Sequence, residues 1–533
     1  MGIGNVADIV RTHAAERPDD VAIVLDDRRV TWSELYDRAG RVAGGLAAAG
    51  IGARDRVAFL DKNGIEHFEV FFGAALLNAV CVDVNWRLAP PEVAYVVDDT
   101  SARVVVVGPD FVPVLDAITG DVPAVTTAVV IGGSGLAGPG RVAYDEWVAS
   151  FEPFDPRLPT TGSDVAFQLY SSGTTGRPKG VMLSNDNFFA LLPAATEMWE
   201  LDAESVNLVA MPLFHIGGGG WAVAGMVEGA TSVIMRELDP AALTRLIPEQ
   251  GITHAFVVPA LLQFLLLVPD AADADYSTLD IIVYGASPIS EDVLARSVEL
   301  LGCKFWQAYG LTETTGAIVH LPPADHDLAG THRHRLRSCG LPGPAVELRI
   351  VDPTTGLDVP TAAGPVAGAT RSVGEIWVRG PQIMLGYWHD DEATKAAVDA
   401  DGWFRTGDAG YVDEDGYVYI HDRVKDMIVS GGENVYPAEV ENVLMNHPLV
   451  ADVAVIGVPH EKWGETPKAI VVKAGDAELT AQDVIAFSRQ HLAGYKCPTS
   501  VDFVDVLPRN PSGKVLKKDL RAPYWAGRER FVS

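Results

Sequence analysis

A chain of 533 residues is too long for a single hydrophobic core, so two to four domains or subdomains are expected. With 48% hydrophobic and 21% charged residues the composition is that of an ordinary soluble globular protein, and a net charge of −30 argues against nucleic acid or an anionic membrane as a stable partner. Cys81, Cys303, Cys339 and Cys497 are far apart and form no Cys-x-x-Cys pair, which fits neither a disulfide framework nor a zinc site and points to a reducing compartment. The start, MGIGNVADIVRT, lacks a signal-peptide core, and Val6 stands where a myristoylation site needs Ser or Thr. The most apolar window, 255–269, is too short to span a bilayer and reads as a buried strand running into a helix. A cytosolic protein is expected.

In chain order, residues near 5–50 read as helices around a short β pair at 21–25 and 29–31, with Asp26-Asp27 as the turn. From about 56 the pattern alternates: strand 57–60, a helix rich in Phe and Ala at 67–78, strand 81–84, helix 91–97, strand 104–107. Such alternation implies a largely parallel sheet covered on both faces. The apolar run Val165-Ala166-Phe167 then leads to Tyr170 and the stretch SSGTTGRPKG, from Ser171 to Gly180. Ser172, Gly173, Thr174, Thr175, Gly176 and Lys179 combine backbone freedom, hydroxyl donors and a positive charge, which suits wrapping a phosphate better than a plain surface turn. It is not the Walker loop, because Pro178 precedes the lysine and Gly180 follows it, where that loop needs an N–H and a hydroxyl.

Buried strands are expected again at 232–235, 255–258, 281–284 and 305–308. Two loops follow the last pair: Gly285-Ala286-Ser287-Pro288, and Tyr309-Gly310-Leu311-Thr312-Glu313, where Gly310 permits a tight turn that leaves Thr312 and Glu313 at the strand's C-terminal end. Segment 352–368, dense in Pro, Gly, Thr and Ala, reads as loops of a β-rich subdomain with strands at 375–378 and 418–420. Between these strands lies Trp403-Phe404-Arg405-Thr406-Gly407-Asp408. The last hundred or so residues change character, with helix 437–445, strands 450–456 and 468–472, and helix 481–492, and the boundary falls at 422–426.

The phosphate loop, these motifs, and the further stretches Asp422-Arg423-Val424-Lys425-Asp426, Ser430-Gly431-Gly432-Glu433-Asn434, Trp463-Gly464-Glu465 and Pro508-Arg509-Asn510-Pro511-Ser512-Gly513-Lys514 together resemble the adenylate-forming superfamily of acyl-CoA synthetases, luciferases and peptide-synthetase adenylation domains. The motifs stand in that family's order over nearly the whole chain. The resemblance implies an α/β fold: a large N-terminal domain, residues 1–422, of layered mostly parallel sheets with a β-rich subdomain, and a small mobile α+β domain, 423–533, hinged near Lys425. It also implies roles. Ser171 to Gly176 and Lys179 would bind ATP phosphates, Gly285, Ala286 and Ser287 would lie against adenine, and Asp408 would accept both ribose hydroxyls. Tyr309, Gly310 and Thr312 would also contact ATP, with Thr312 at the α-phosphate, while Glu313 and Ser171 would hold Mg²⁺. Arg423 would reach phosphate or ribose, and Lys514 would bridge the acid and the α-phosphate. A rotation of the small domain would then replace Lys514 by Gly431, Gly432 and Trp463, past which the arm of CoA would enter.

Met211-Pro212-Leu213-Phe214-His215-Ile216-Gly217-Gly218-Gly219-Gly220-Trp221 is the segment that informs on the acid. Amino-acid-activating relatives place an Asp where His215 stands, because a buried ammonium needs a carboxylate. His215, Gly217, Gly218 and Trp221 are therefore assigned to an apolar acyl pocket, the four glycines leaving volume beside the ring. His215 reads equally as a gate or as a satisfied core histidine. His332-Arg333-His334-Arg335 reads as a solvated loop rather than a metal or CoA-phosphate site. The expected activity is that of an ATP-dependent acid–CoA ligase working through an acyl-adenylate on a medium- or long-chain fatty acid. An aryl acid or a carrier-protein acceptor is the alternative, and a homo-oligomer is compatible with the sequence.

Overall fold

The computed structural model describes residues 3–526 apart from 134, 136–137, 139, 172–176, 354, 360–372, 424–425, 431–432, 461, 476–477 and 510–514, and the side chains of 421–423, 429 and 433–434. The helix Val6–Glu16 and strands Val21–Leu25 and Arg28–Thr31 open the chain, with Asp26 in the left-handed region at φ 51. Thr31 then caps the helix Trp32–Ala48, its hydroxyl accepting from the Glu34 N–H while the Glu34 carboxylate accepts from the Thr31 N–H.

Two large sheets carry residues 3–342. An eight-stranded sheet has a parallel run made by Arg56–Leu60, Val80–Asp83, Val104–Val107 and their neighbours, continues through the antiparallel hairpin Val165–Ser171 and Lys179–Ser184, and ends on the short antiparallel strand Gly386–Tyr387. A nine-stranded sheet has a parallel centre of Val206–Val209, His254–Val257, Ile281–Gly285 and Lys304–Leu311, followed on one side by the antiparallel strands Gly316–Leu321 and Leu341–Pro342. Both are buried on two faces, which is why their strands read as continuous apolar runs such as Val104–Val107. The helix Ile65–Leu76 is apolar nearly all round because it lies in the central core shared by both sheets, together with Trp32–Ala48 and Ile216–Glu228. The outer faces have separate cores, one under helices Pro240–Gln250 and Glu291–Leu301, the other under Pro90–Asp99 and Val112–Ile118. The order is therefore helix, sheet, helix, sheet, helix.

A four-stranded antiparallel sheet, Glu347–Val351, Gly374–Arg379, Phe404–Val412 and Val418–Arg423, forms the β-rich part. Sheet membership changes between Arg423 and Ile428. Strands Ile428–Ser430, Glu433–Val435, Val450–His460, Gly464–Lys473 and Ser500–Phe503 make a fourth, five-stranded sheet with helices Pro437–Leu444 and Ala481–His491 around their own core. Charge divides at the same place. Residues 423–533 balance 14 acids with 14 bases, so the whole excess of −30 belongs to the preceding 422 residues.

Two local expectations change. The strand after Ile281–Gly285 does not stop at Ala308 but runs to Leu311, and Gly310 sits inside it next to a register shift. The turn comes later, at Thr312–Thr314 and Thr315, which takes φ 56. Gly310 is required for close approach, since a Cβ there would lie 1.8 Å from the Gly316 carbonyl oxygen. Thr406-Gly407-Asp408 likewise lies within the strand Phe404–Val412. Among the described residues no helix is long and apolar enough to cross a membrane, and all four cysteines are free.

Candidate active site

The site is built where three sheets meet. Ser171 ends the strand Val165–Ser171 and pairs across the hairpin with Lys179, so these two flank the stretch expected to bind phosphate. Ser172, Gly173, Thr174, Thr175 and Gly176 lie outside the described residues. The Ser171 hydroxyl donates to Glu313 Oε1 at 3.1 Å, joining the eight-stranded sheet to the turn that follows Lys304–Leu311. Thr312, on the same turn, is half-buried.

A third group completes this corner. The Tyr387 hydroxyl donates to the same Glu313 oxygen at 3.1 Å, and the Lys179 ammonium lies 4.8 Å from the centre of the Tyr387 ring. Burial first, and the neighbouring Glu313 carboxylate second, raise the Tyr387 phenol above its ordinary value, so it remains a donor. Sequence reasoning missed Tyr387, which is 74 residues from its partner. The local signal was the aromatic pair of Gly386-Tyr387-Trp388.

The segment bearing Tyr387 is pinned by backbone acceptors. Asn187, in the capping box of the helix Asn185–Met198, donates to the Pro381 and Ile383 carbonyls. Gln382 donates to the Thr314 and Ala317 carbonyls, and the Thr315 hydroxyl donates to the Gln382 carbonyl. The Met384 N–H reaches the Glu313 carbonyl at 2.9 Å. The turn carrying Glu313 is thus fixed from both sides.

Asp408 is only 5% exposed and accepts from the Tyr309 hydroxyl at 2.7 Å. Register places Asp408 opposite Arg423 on the adjoining strand. Gly285 pairs with Ala308, and Ala286 follows in the left-handed region at φ 66, a strained conformation for a residue with a Cβ, with Ser287 half-buried beside it. Glu313 with the Ser171 hydroxyl forms a hard oxygen donor set of one carboxylate. That suits Mg²⁺, which takes few protein ligands and completes its shell with phosphate oxygens and water.

The acid segment turns differently from expectation. His215 is the N-cap of the helix Ile216–Glu228 and makes no side-chain cap bond. Its ring tilts against Phe214 at 4.5 Å, and its Nε2 is buried with no hydrogen-bond partner among the described residues. Burial, with Arg87 adding repulsion, pushes the imidazole down to about 4. It is therefore not a satisfied core histidine.

The glycines do not leave open volume. A Cβ on Gly218 would meet the Pro212 carbonyl oxygen at 2.1 Å, and one on Gly217 the Phe256 ring at 2.8 Å. They allow the first helical turn to press against its own lead-in chain. Trp221 is a core residue, donating to the Leu208 carbonyl and packing against Trp199 and Phe256. The two ends of the site touch through Gly316, whose Cβ position lies 3.8 Å from Ile216.

In the tail, Trp463 is 42% exposed and stacks on His460 at 4.6 Å. Gly464, next to it, pairs with Ser430. Gly431 and Gly432, the hinge candidate Lys425, Lys514 and the Arg423 side chain lie outside the described residues. The flanks of Lys514, Arg509 and Val515, pair with one another, and Arg509 bonds Asp452. Arg333 to Arg337 form a short 3-10 helix in which His334 is exposed, as is His332 just before it, while Arg335 pairs with Asp325 and Asp415.

Comparison with known proteins gives the same picture over the whole length. Residues 10–388 match the AMP-binding enzyme family and residues 439–514 the AMP-binding enzyme C-terminal domain. The fatty acid–[acyl-carrier-protein] ligase ScoC of Streptomyces coeruleorubidus is 40% identical over 98% of this chain and 96% of its own. The long-chain-fatty-acid–CoA ligase FadD13 of Mycobacterium tuberculosis is 36% identical over 98% and 99%. Among solved structures, ATP-bound MatB from Rhodopseudomonas palustris superposes with a TM-score of 0.85 at 30% identity, covering 97% of this chain and 99% of that one.

Proposed function

The chain belongs to the AMP-binding enzyme family, and from that premise we propose that it joins a medium- or long-chain fatty acid to coenzyme A. The acid carboxylate attacks the α-phosphorus of ATP, the bond to pyrophosphate breaks, and the CoA thiol then displaces AMP from the acyl carbon. Two anions must meet in the first step, so the protein's task is alignment and charge neutralisation. The observation that carries the reading is the pair of buried carboxylates held by hydroxyls, Glu313 by Ser171 and Tyr387, Asp408 by Tyr309.

In this reading Glu313 and Ser171 hold Mg²⁺, which supplies neutralisation at the phosphate oxygens when bound. Thr312 and Lys179 face phosphate, Gly285 to Ser287 line the base, and Asp408 holds the ribose with Arg423 opposite. Residues 1–422 form the fixed part and 423–533 the moving part, turning at Lys425. Lys514 serves the adenylation arrangement, and Gly431, Gly432 and Trp463 the thiol arrangement. His215 beside Phe214 lines an apolar acid pocket, and the charged group acting on its imidazole is Arg87, a cation and not the carboxylate that an amino acid would need. Four unpaired thiols suit a cytoplasmic protein.

The likeness to the Streptomyces ligase favours a second acceptor, the phosphopantetheine thiol of a carrier protein. A screen of AMP release over acids of graded chain length and over aryl acids, with CoA, with holo carrier protein and with neither, tests both. Thiol-dependent AMP release that rises with chain length supports the reading. Aryl acids ahead of every fatty acid would replace the substrate, and release stimulated by carrier protein alone would replace the acceptor.

A further inference from the structure

Away from this chemistry, three unlike donor residues converge in the central core. Cys81 and Asp83 alternate along the strand Val80–Asp83 and so face the same side, and His67 reaches them from the helix Ile65–Leu76. One ligand atom from each lies within 4.8 Å of the others, and all three residues are buried. Both neighbours crowd one oxygen: Asp83 Oδ1 is 2.8 Å from His67 Nε2 and 3.8 Å from Cys81 Sγ. The imidazole is walled by Phe59, Phe68 and Phe71, with ring centres 5.0 to 6.1 Å away. Its other nitrogen, Nδ1, is buried with no hydrogen-bond partner among the described residues.

A thiol, an imidazole and a carboxylate in an apolar wall are a costly set to bury for packing alone. We propose that His67, Cys81 and Asp83 form a binding site for one divalent ion of the zinc class. Sulfur, nitrogen and oxygen donors together suit Zn²⁺ or Co²⁺ better than Mg²⁺ or Ca²⁺. Donors around tetrahedral zinc stand about 3.3 to 3.7 Å apart by its bond lengths. The sulfur is already near that separation from Asp83, and the imidazole must withdraw by about 0.5 Å.

A small cavity lined by His67 and Asp83, and also by Asp61, Lys62, Leu213 and Phe214, adjoins two of the three side chains and can admit a water as fourth ligand. On binding, the Cys81 thiol loses its proton to solvent and the His67 proton moves from Nε2 to the unpartnered Nδ1. One proton is released for each ion bound. Leu213 and Phe214 line the same cavity, which puts the ion behind the chain that leads into His215.

The test is a titration of chelator-treated full-length protein with Co²⁺, in excess Mg²⁺ and without oxygen. The expected result is one equivalent bound, a thiolate-to-cobalt charge-transfer band, and one proton released. Cys81→Ser should abolish the band, and Asp83→Asn and His67→Gln should weaken binding by more than about a hundredfold. Cys303→Ser should leave the band intact. If Cys81→Ser does not fold, a variant with Cys303, Cys339 and Cys497 replaced by Ser keeps the question open to measurement, because the band must then arise from Cys81. Absence of the band in folded wild-type protein, or its survival in Cys81→Ser, overturns the proposal.

Discussion

Glu313 and Asp408 are buried carboxylates, and each accepts from a tyrosine hydroxyl supplied by a distant strand or segment. His215, at the other end of the same site, is half-buried and has a buried ring nitrogen that nothing among the described residues satisfies. In the proposed reading the contrast follows from what each end must bind. At the nucleotide end the ligand is highly charged, so donors and acceptors must already be oriented, because reorganising them during the reaction would cost the rate. At the acid end most of the ligand is apolar, binding comes from area removed from water, and a single unpaired imidazole can wait for its partner. A buried polar group without a bond costs about 1 to 3 kcal/mol, which a bound ligand can recover.

The sharpest way to separate the two ends is through the tail. Lys514→Ala should reduce acyl-adenylate formation by on the order of a thousandfold and leave thioester formation from supplied acyl-AMP unchanged, measured by pyrophosphate release and by thiol consumption. Equal loss of both half-reactions would remove the lysine from the first step.

The acid end has its own signature in pH. An unfolded imidazole titrates near 6.5 and His215 in the fold near 4, so between those values the unfolded chain takes up a proton that the folded chain refuses. Stability should therefore fall as pH drops from 6.5 to 4, by about 3 kcal/mol from this residue at the lower limit. His215→Phe should flatten the pH dependence of Tm over that interval, and an unchanged slope would mean that the ring is not held neutral by burial.

Smaller effects should divide by substrate. Tyr387→Phe and Tyr309→Phe each remove one hydroxyl from a buried carboxylate and should raise KM for Mg·ATP by about tenfold without changing KM for the acid. A change in both constants would dissolve the distinction between the ends. Smallest of all, Trp463→Ala should raise KM for CoA severalfold and leave adenylation untouched, since the ring is partly exposed and rests on His460 with the Lys462 ammonium 5.7 Å away.

Much of this was legible in one dimension. Strands such as Val104–Val107 and Ile281–Gly285 announce themselves as short apolar runs, because a strand covered on both faces has no polar side. The motif residues Ser171, Glu313, Tyr309 and Asp408 are visible because their local chemistry is unusual for their loops and strands. The glycine run at 217–220 was misread for a physical reason: a missing side chain looks the same in sequence whether it leaves space or is filled by a neighbour. Here the Pro212 carbonyl and the Phe256 ring fill it. The reach of the strand to Leu311 was missed because Gly310 lowers strand propensity, while the close approach of Gly316 demands that residue.

The sequence by itself determined the alternation of strands and helices, the phosphate loop and the order of the motifs, because these are set by local periodicity and residue chemistry. Only the tertiary structure decided which donor meets which carboxylate. Tyr387 reaches Glu313 across 74 residues, Tyr309 reaches Asp408 across 99, and His67 meets Asp83 by the packing of a helix on a strand. Such pairings depend on sheet register and layer order, which arise from burying the whole chain at once and leave no mark at either residue alone.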